Sequence, residues 1–228
     1  MLVWERPEPP SRPTPSPLSR ERIVRAAIDL ADREGLDAVS LRKVSAALDA
    51  GPMRLYGYLS TKEELLDLMV DEVYGEIVPP EPAGDDWRAA LKDLAQRTRQ
   101  AALRHEWFAD LLGGRPHLGP NAMAFREASL AALADTPVAT MLRVVGTVNA
   151  YVMGAVRWEI TELRAERASG LDEQEWRRTV GPYLTRMLAT GRYPATARMI
   201  AGEDVQPDFD EGLDWVLDGV APRVTGGS

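Results

Sequence analysis

Two short apolar helical runs, separated by a break of only a few residues, constrain this chain more than any other feature. After Ser40, a natural helix cap, Leu41, Val44, Ala47 and Leu48 recur at helical spacing, and the run stops at Asp49-Ala50-Gly51. Pro52, with its fixed φ, suits the first position of a third helix through Met53, Arg54 and Leu55. Asp49 stands where such turns usually want glycine, and aspartate is among the few residues that tolerate the left-handed region. A short helix, a tight turn and a second short helix can set a recognition helix into the major groove.

The flanking sequence supplies longer helices for this pair. Ser19 begins one whose apolar stripe is Ile23, Ala26, Ala27, Leu30 and Ala31, ended by Gly35. Thr61-Lys62-Glu63-Glu64 is a capping box that launches Leu65, Leu68, Met69, Val73 and Ile77. Val78-Pro79-Pro80 through Gly84 breaks that helix and reads as a linker. Helices then follow over 86–105, 107–112, about 122–134 and 136–168, with further ones opened by Asp172 and by Asp208. No stretch alternates with period two for long enough to suggest a sheet. The expectation is an all-α chain: a three-helix DNA-binding domain over 19–65 and a larger helical ligand-binding and dimerisation domain over 66–222. A proline-rich arm, 1–18, is expected to be disordered, and 223–228 a flexible tail. Arg6 and Arg12 could instead let that arm touch DNA.

A net charge of −8 looks wrong for a DNA-binding protein until it is divided along the chain. Residues 1–62 carry 10 basic and 8 acidic side chains, against 17 and 27 over 63–228, so the front is mildly positive and the rest acidic. With no cysteine there is neither a disulfide nor a thiolate zinc site, and a cytoplasmic location is the default. The longest run without a charge, Val144 to Val156, is short for a membrane span. No cofactor is expected. With two histidines and no telling carboxylate pair or phosphate loop, little catalytic chemistry is visible.

Three segments carry a more specific resemblance. Ile23-Val-Arg-Ala-Ala-Ile-Asp-Leu, Glu34-Gly-Leu-Asp-Ala-Val-Ser-Leu-Arg-Lys-Val and Leu55-Tyr-Gly-Tyr-Leu-Ser-Thr-Lys-Glu-Glu-Leu-Leu resemble the DNA-binding domain of the tetracycline-repressor (TetR) family over about residues 19–75. The resemblance implies an all-helical homodimer that releases DNA when a small molecule binds. It implies phosphate contacts from Tyr56 and Lys62, and a base or backbone contact from Arg42. With them, Ser40, Lys43, Pro52, Met53, Arg54, Gly57 and Tyr58 make up the expected DNA-facing set. Arg42 and Arg54 are long enough to reach guanine edges or phosphates, whereas Pro52, Met53 and Gly57 offer shape and thymine-methyl contact. Tyr58 suits DNA contact or ordinary packing equally. Relatives often carry a bulky aromatic and a histidine where this chain has Gly57-Tyr58, so its operator cannot be borrowed from them.

Beyond Gly84 the chain resembles the family's C-terminal domain through Trp87–His105, His117-Leu118-Gly119 and the last helix. That implies a four-helix dimer interface made by the long helix near 138–165 and the last helix near 209–220, with their copies. The apolar faces Val138, Leu142, Val145, Val148, Val152, Val156 and Phe209, Leu213, Val216, Leu217, Val220 suit such an interface. An apolar pocket with a few polar groups is expected from His105, His117, Met123, Phe125, Asn149 and Met153, with Tyr151 and Trp158 as further candidates. His117 aligns with a histidine that ligates the drug-bound magnesium in tetracycline-binding members, but one histidine is not a metal site and the simpler reading is a loop residue paired with backbone. Val78, Leu94 and Thr98 replace that drug's usual contacts, so a different hydrophobic or amphipathic effector is expected. A helical interaction module without DNA binding, or an enzyme, are the alternatives.

Overall fold

The computed structural model describes residues 2–9, 17–78, 86–113, 116–202 and 208–225. Among them are eleven α-helices and no strand: α1 (Arg20–Glu34), α2 (Leu41–Ala47), α3 (Pro52–Leu55), α4 (Lys62–Ile77), α5 (Trp87–Arg104), α6 (Glu106–Leu111), α7 (Pro120–Ala131), α8 (Val138–Ser169), α9 (Glu173–Leu188), α10 (Pro194–Ala201) and α11 (Phe209–Thr225).

The small head forms as its caps dictate. The Ser19 and Ser40 hydroxyls accept the amides of Arg22 and Lys43, each at 3.2 Å, and start α1 and α2. Asp49 takes up φ 49°, the left-handed conformation that turns the chain from α2 toward α3. Because α3 has four residues, its stability comes from Leu55, Tyr58 and Leu59, which are buried against Ile23, Ala27 and Val44 in one core. The Thr61 hydroxyl receives the Glu64 amide at 3.2 Å, but the Glu64 carboxylate returns to Ser60 N, at 2.7 Å, rather than to the cap itself.

The segment expected to be a disordered arm is ordered where it is described. Val3–Glu5 forms a 3-10 turn with Val3 buried in the core and Trp4 against it. Arg6 grips both Glu64 oxygens, at 2.6 and 3.0 Å, and its carbonyl accepts from Arg20 at 2.9 Å. The segment thus straps α1 to the start of α4. Arg12 and the 79–85 linker lie outside the described residues.

Helix α4 is shared between the two halves, packing on α1 in the head and on α5, α6 and α7 beyond it. In the larger half α8 runs alongside α5 and α11 and buries Val144, Val148, Val152, Val156 and Ile160. This corrects the expected dimer face: the valine stripe belongs to the chain's own core, while Val138 and Leu142 at its start are exposed. By length and composition α8 is apolar enough to cross a membrane. Its buried stripe and its Glu159 bond to Arg99, at 2.7 Å, are those of a helix packed on protein. The proline before α8 gives no side-chain cap. The Asp172–Glu175 capping box is formed in full, and Asp208 accepts the Glu211 amide at 2.7 Å. α10 was not legible in the sequence, and α11 continues through Arg223 to Thr225, where a loose tail was expected.

Candidate nucleic-acid interface and sensing cavity

The α2–α3 face presents cations on a framework that is otherwise committed. Arg42 and Arg54 are exposed and Lys62 half-buried, and none of the three has an ion-pair partner among the described residues. Lys43 is held by Glu34 at 2.8 Å. Met53 and Tyr56 stand out between the cations, 79% and 52% exposed, large side chains left in water at a position where they can meet a partner. Ser40 is occupied as a cap, and Pro52 and Gly57 are exposed as backbone shape. Tyr58 leaves the expected set: it is buried, and its hydroxyl donates to the Leu18 carbonyl at 2.7 Å. Gly57 lies beside the strap, and a Cβ there would sit 3.4 Å from the Pro9 ring.

A cavity of about 350 Å³ opens between α4, α7 and α8. His117, Phe125, Asn149 and Met153 line it together with Tyr74, Arg126, Leu142 and Val145. The Tyr74 and Phe125 rings are 5.2 Å apart and tilted by 45°, and Tyr74 meets Phe108 edge-on at 5.4 Å behind the wall. Burial pushes the Tyr74 hydroxyl above its usual range, which keeps it a neutral donor. Tyr74 escaped the sequence reading because its helix starts in the head. Arg126 escaped because a lone arginine on an amphipathic helix reads as solvated surface. Leu94 and Thr98 line a narrow apolar crevice beneath the cavity.

Two expected pocket residues lie elsewhere, and so do both further candidates. Met123 points outward from α7 and is exposed. His105 is buried at the junction of the two halves, with Nδ1 at 2.9 Å from Asp32 of α1 and Nε2 at 3.2 Å from Glu76 of α4. Trp107 adds an indole N–H to the same Asp32 at 2.6 Å. Of the further candidates, Tyr151 bonds the Phe209 carbonyl at 2.8 Å and Trp158 is exposed. His117 faces the Leu111 carbonyl through Nε2, at 3.3 Å, and no cluster of three metal-binding side chains occurs among the described residues.

A buried carboxylate ties the cavity wall to α4. Asp71 accepts the amides of Ala122, at 2.9 Å, and Asn121, at 3.4 Å, and so caps α7 from the side of α4. Desolvation raises its pKa above the ordinary 3.8 despite those amides. The folded protein therefore holds this proton to higher pH than the unfolded chain does. Stability falls as pH rises from about the ordinary aspartate value through the raised one, and is level above it. Asp71→Asn removes this term, so the variant is expected to gain on the wild type as pH rises through that window. Melting curves of both proteins at stepped pH check this; a constant difference in stability would contradict it.

The family described as "Tetracyclin repressor-like, C-terminal domain" matches residues 79–224. The HTH-type transcriptional repressor DrrR1 of Streptomyces coeruleorubidus is 38% identical over 225 residues, covering 96% of this chain and 83% of that protein. An HTH-type transcriptional regulator of Saccharopolyspora erythraea is 35% identical over 225 residues, 96% of this chain and 91% of that protein. Among solved structures, the Streptomyces coelicolor TetR family protein ActR in complex with actinorhodin superposes with a TM-score of 0.72 at 27% identity, covering 91% of this chain and 97% of that one.

Proposed function

The chain belongs to the TetR family of transcriptional regulators, and we infer that it is a homodimeric repressor that holds a palindromic operator until an effector fills the cavity. It is a regulator and not an enzyme. The observation that carries the reading is the α2–α3 face, where Arg42, Arg54 and Lys62, without ion-pair partners among the described residues, stand around the exposed Met53 and Tyr56 while the residues beneath are tied into the core. With α3 in the major groove, Arg42 or Arg54 can read a guanine, worth about 1–3 kcal/mol of discrimination. Lys62 and Tyr56 sit at the edge of the same face, where phosphates run. A protein that reads DNA in this way acts in the cytoplasm.

Release follows from α4. It carries Lys62 at one end and Tyr74 at the cavity, and Asp71 fastens it to α7. An effector that displaces the α7 wall therefore moves the helix that sets Lys62. The dimer surface lies on the outward side of α8 and α11, where Trp158 and Trp215 are 68% and 69% exposed. ActR is seen with actinorhodin, and a small hydrophobic or amphipathic effector suits the cavity of this chain as well.

The test is a binding titration on the chain's own upstream DNA at several salt concentrations. Arg42→Ala is expected to weaken binding roughly 10- to 100-fold and to relax one base-pair preference. Lys62→Ala should weaken all sequences alike and reduce the salt slope by about 1. Wild-type protein that showed no preference for that DNA at nanomolar concentration would overturn the repressor reading. So would folded, dimeric variants that bind as well as the wild type does.

A further inference from the structure

We propose that the effector is a planar aromatic anion, held by its ring against Tyr74 and Phe125 and by its acidic group at Arg126. The inference rests on the cavity being the sensing site and names the chemistry that site selects. Arg126 lines the cavity on α7 and has no hydrogen bond or ion pair with any described residue. The Tyr74 hydroxyl and the Asn149 amide line it too, and neither side chain is hydrogen-bonded to a described residue. Buried or half-buried polar groups in a folded protein normally find partners. The half-buried Tyr74 hydroxyl and Asn149 amide lack them among the described residues, and with the exposed Arg126 guanidinium on the same cavity they describe the partner: several acceptor oxygens, one of them charged. No carboxylate lines the cavity among the described residues. Two acids close by are engaged elsewhere, Asp71 by the α7 amides and Asp67 at 3.9 Å from His117 Nδ1.

The apolar part of the lining specifies the rest. Tyr74 faces Phe125 at 5.2 Å and His117 at 6.2 Å, a set of tilted rings against which a flat ring system gains edge and face contacts. Met153, Leu142 and Val145 close the space with polarisable and aliphatic atoms. A cation of the same shape would meet Arg126 with like charge and find no anion in compensation.

Three anthraquinone probes of one shape test this: a carboxylate, the matching carboxamide and the matching aminomethyl cation. Each is titrated into the full-length protein at pH 7 by calorimetry. The carboxylate is expected to bind at least about tenfold tighter than the cation, the effect of one charge-assisted contact. Arg126→Ala should erase the preference and Arg126→Glu should reverse it, and both variants should fold because the residue is exposed. Equal binding of the three probes, a preference for the cation, or no binding of any would overturn the proposal. A preference that persisted in Arg126→Glu would overturn it as well. The DNA titration on the same preparations reports separately on the repressor reading, so a protein that binds its operator but ignores every probe leaves that reading standing and sinks this one.

Discussion

Phe108→Ala is expected to lower stability by about 3–5 kcal/mol, the ordinary cost of emptying a large aromatic site in a packed core. Phe108 is fully buried, edge-on to Tyr74 at 5.4 Å and to Trp107 at 6.4 Å. It comes from α6, a helix of six residues set between α1, α4, α5 and α8, where it packs beside the buried Trp107. The lost ring therefore loosens the wall behind the cavity and the support of α4 together. For a chain of this size the melting temperature should drop by roughly 6–20 °C. Phe108→Leu should lose less than half as much, because most of the volume is kept. Thermal melts of the three proteins decide the matter, and a shift below about 2 °C for the alanine variant would show that α6 is not pinned by this ring.

The second large effect comes from the smallest residue. At Gly119, the cap of α7, a Cβ would lie 2.2 Å from Asp71 Oδ1 and 2.3 Å from its Cγ. Its φ of −67° is open to any residue, so backbone strain is not the obstacle. Gly119→Val must push the carboxylate off the Ala122 amide, a loss of about 1–3 kcal/mol for the uncovered donor. Crowding adds a similar amount, about 1–3 kcal/mol. With the Asp71 cap that ties α7 to α4 lost, release of operator DNA by the anthraquinone carboxylate should also fail. Combining the change with Asp71→Ala removes the clashing carboxylate but leaves its Cβ 2.8 Å away, so it relieves part of the crowding without restoring the cap. The double variant should therefore recover part of the stability and none of the release. If Gly119→Val melted with the wild type and still let go of DNA, α4 and α7 would not be coupled through this contact.

The parts of the molecule that follow from local chemistry were legible in advance. Ser19, Ser40, Asp172 and Asp208 announce helix starts because a cap is made within three or four residues, and Asp49 announces a turn for the same reason. Arg42 and Arg54 were legible as candidates because they lie on the two short helices that flank that turn. What escaped depends on partners far along the chain. Tyr58 is core because its hydroxyl finds Leu18, 40 residues earlier. His105 sits in the joint because Asp32 and Glu76 converge on it from two other helices, and no periodicity in its own helix records that. Helical spacing identified the valine stripe of α8 as buried, but spacing cannot say whether the cover is the same chain or a second copy. Proline content suggested a loose arm and hid Val3 and Trp4, two residues that anchor it.

The strap has a consequence for anyone who would re-engineer this regulator. Repressors of this build invite the transplanting of recognition helices, one set of reading side chains for another. Here Pro9 lies beside Gly57, so an alanine can be admitted at ordinary contact distance, while a bulky aromatic must turn to solvent or lift the strap. Lifting it would strain the grip of Arg6 on Glu64, the bond that secures the start of α4. In this chain the reading head and the residues that precede it form a single exchangeable cassette, and a swap confined to 52–58 would trade away the scaffold along with the specificity.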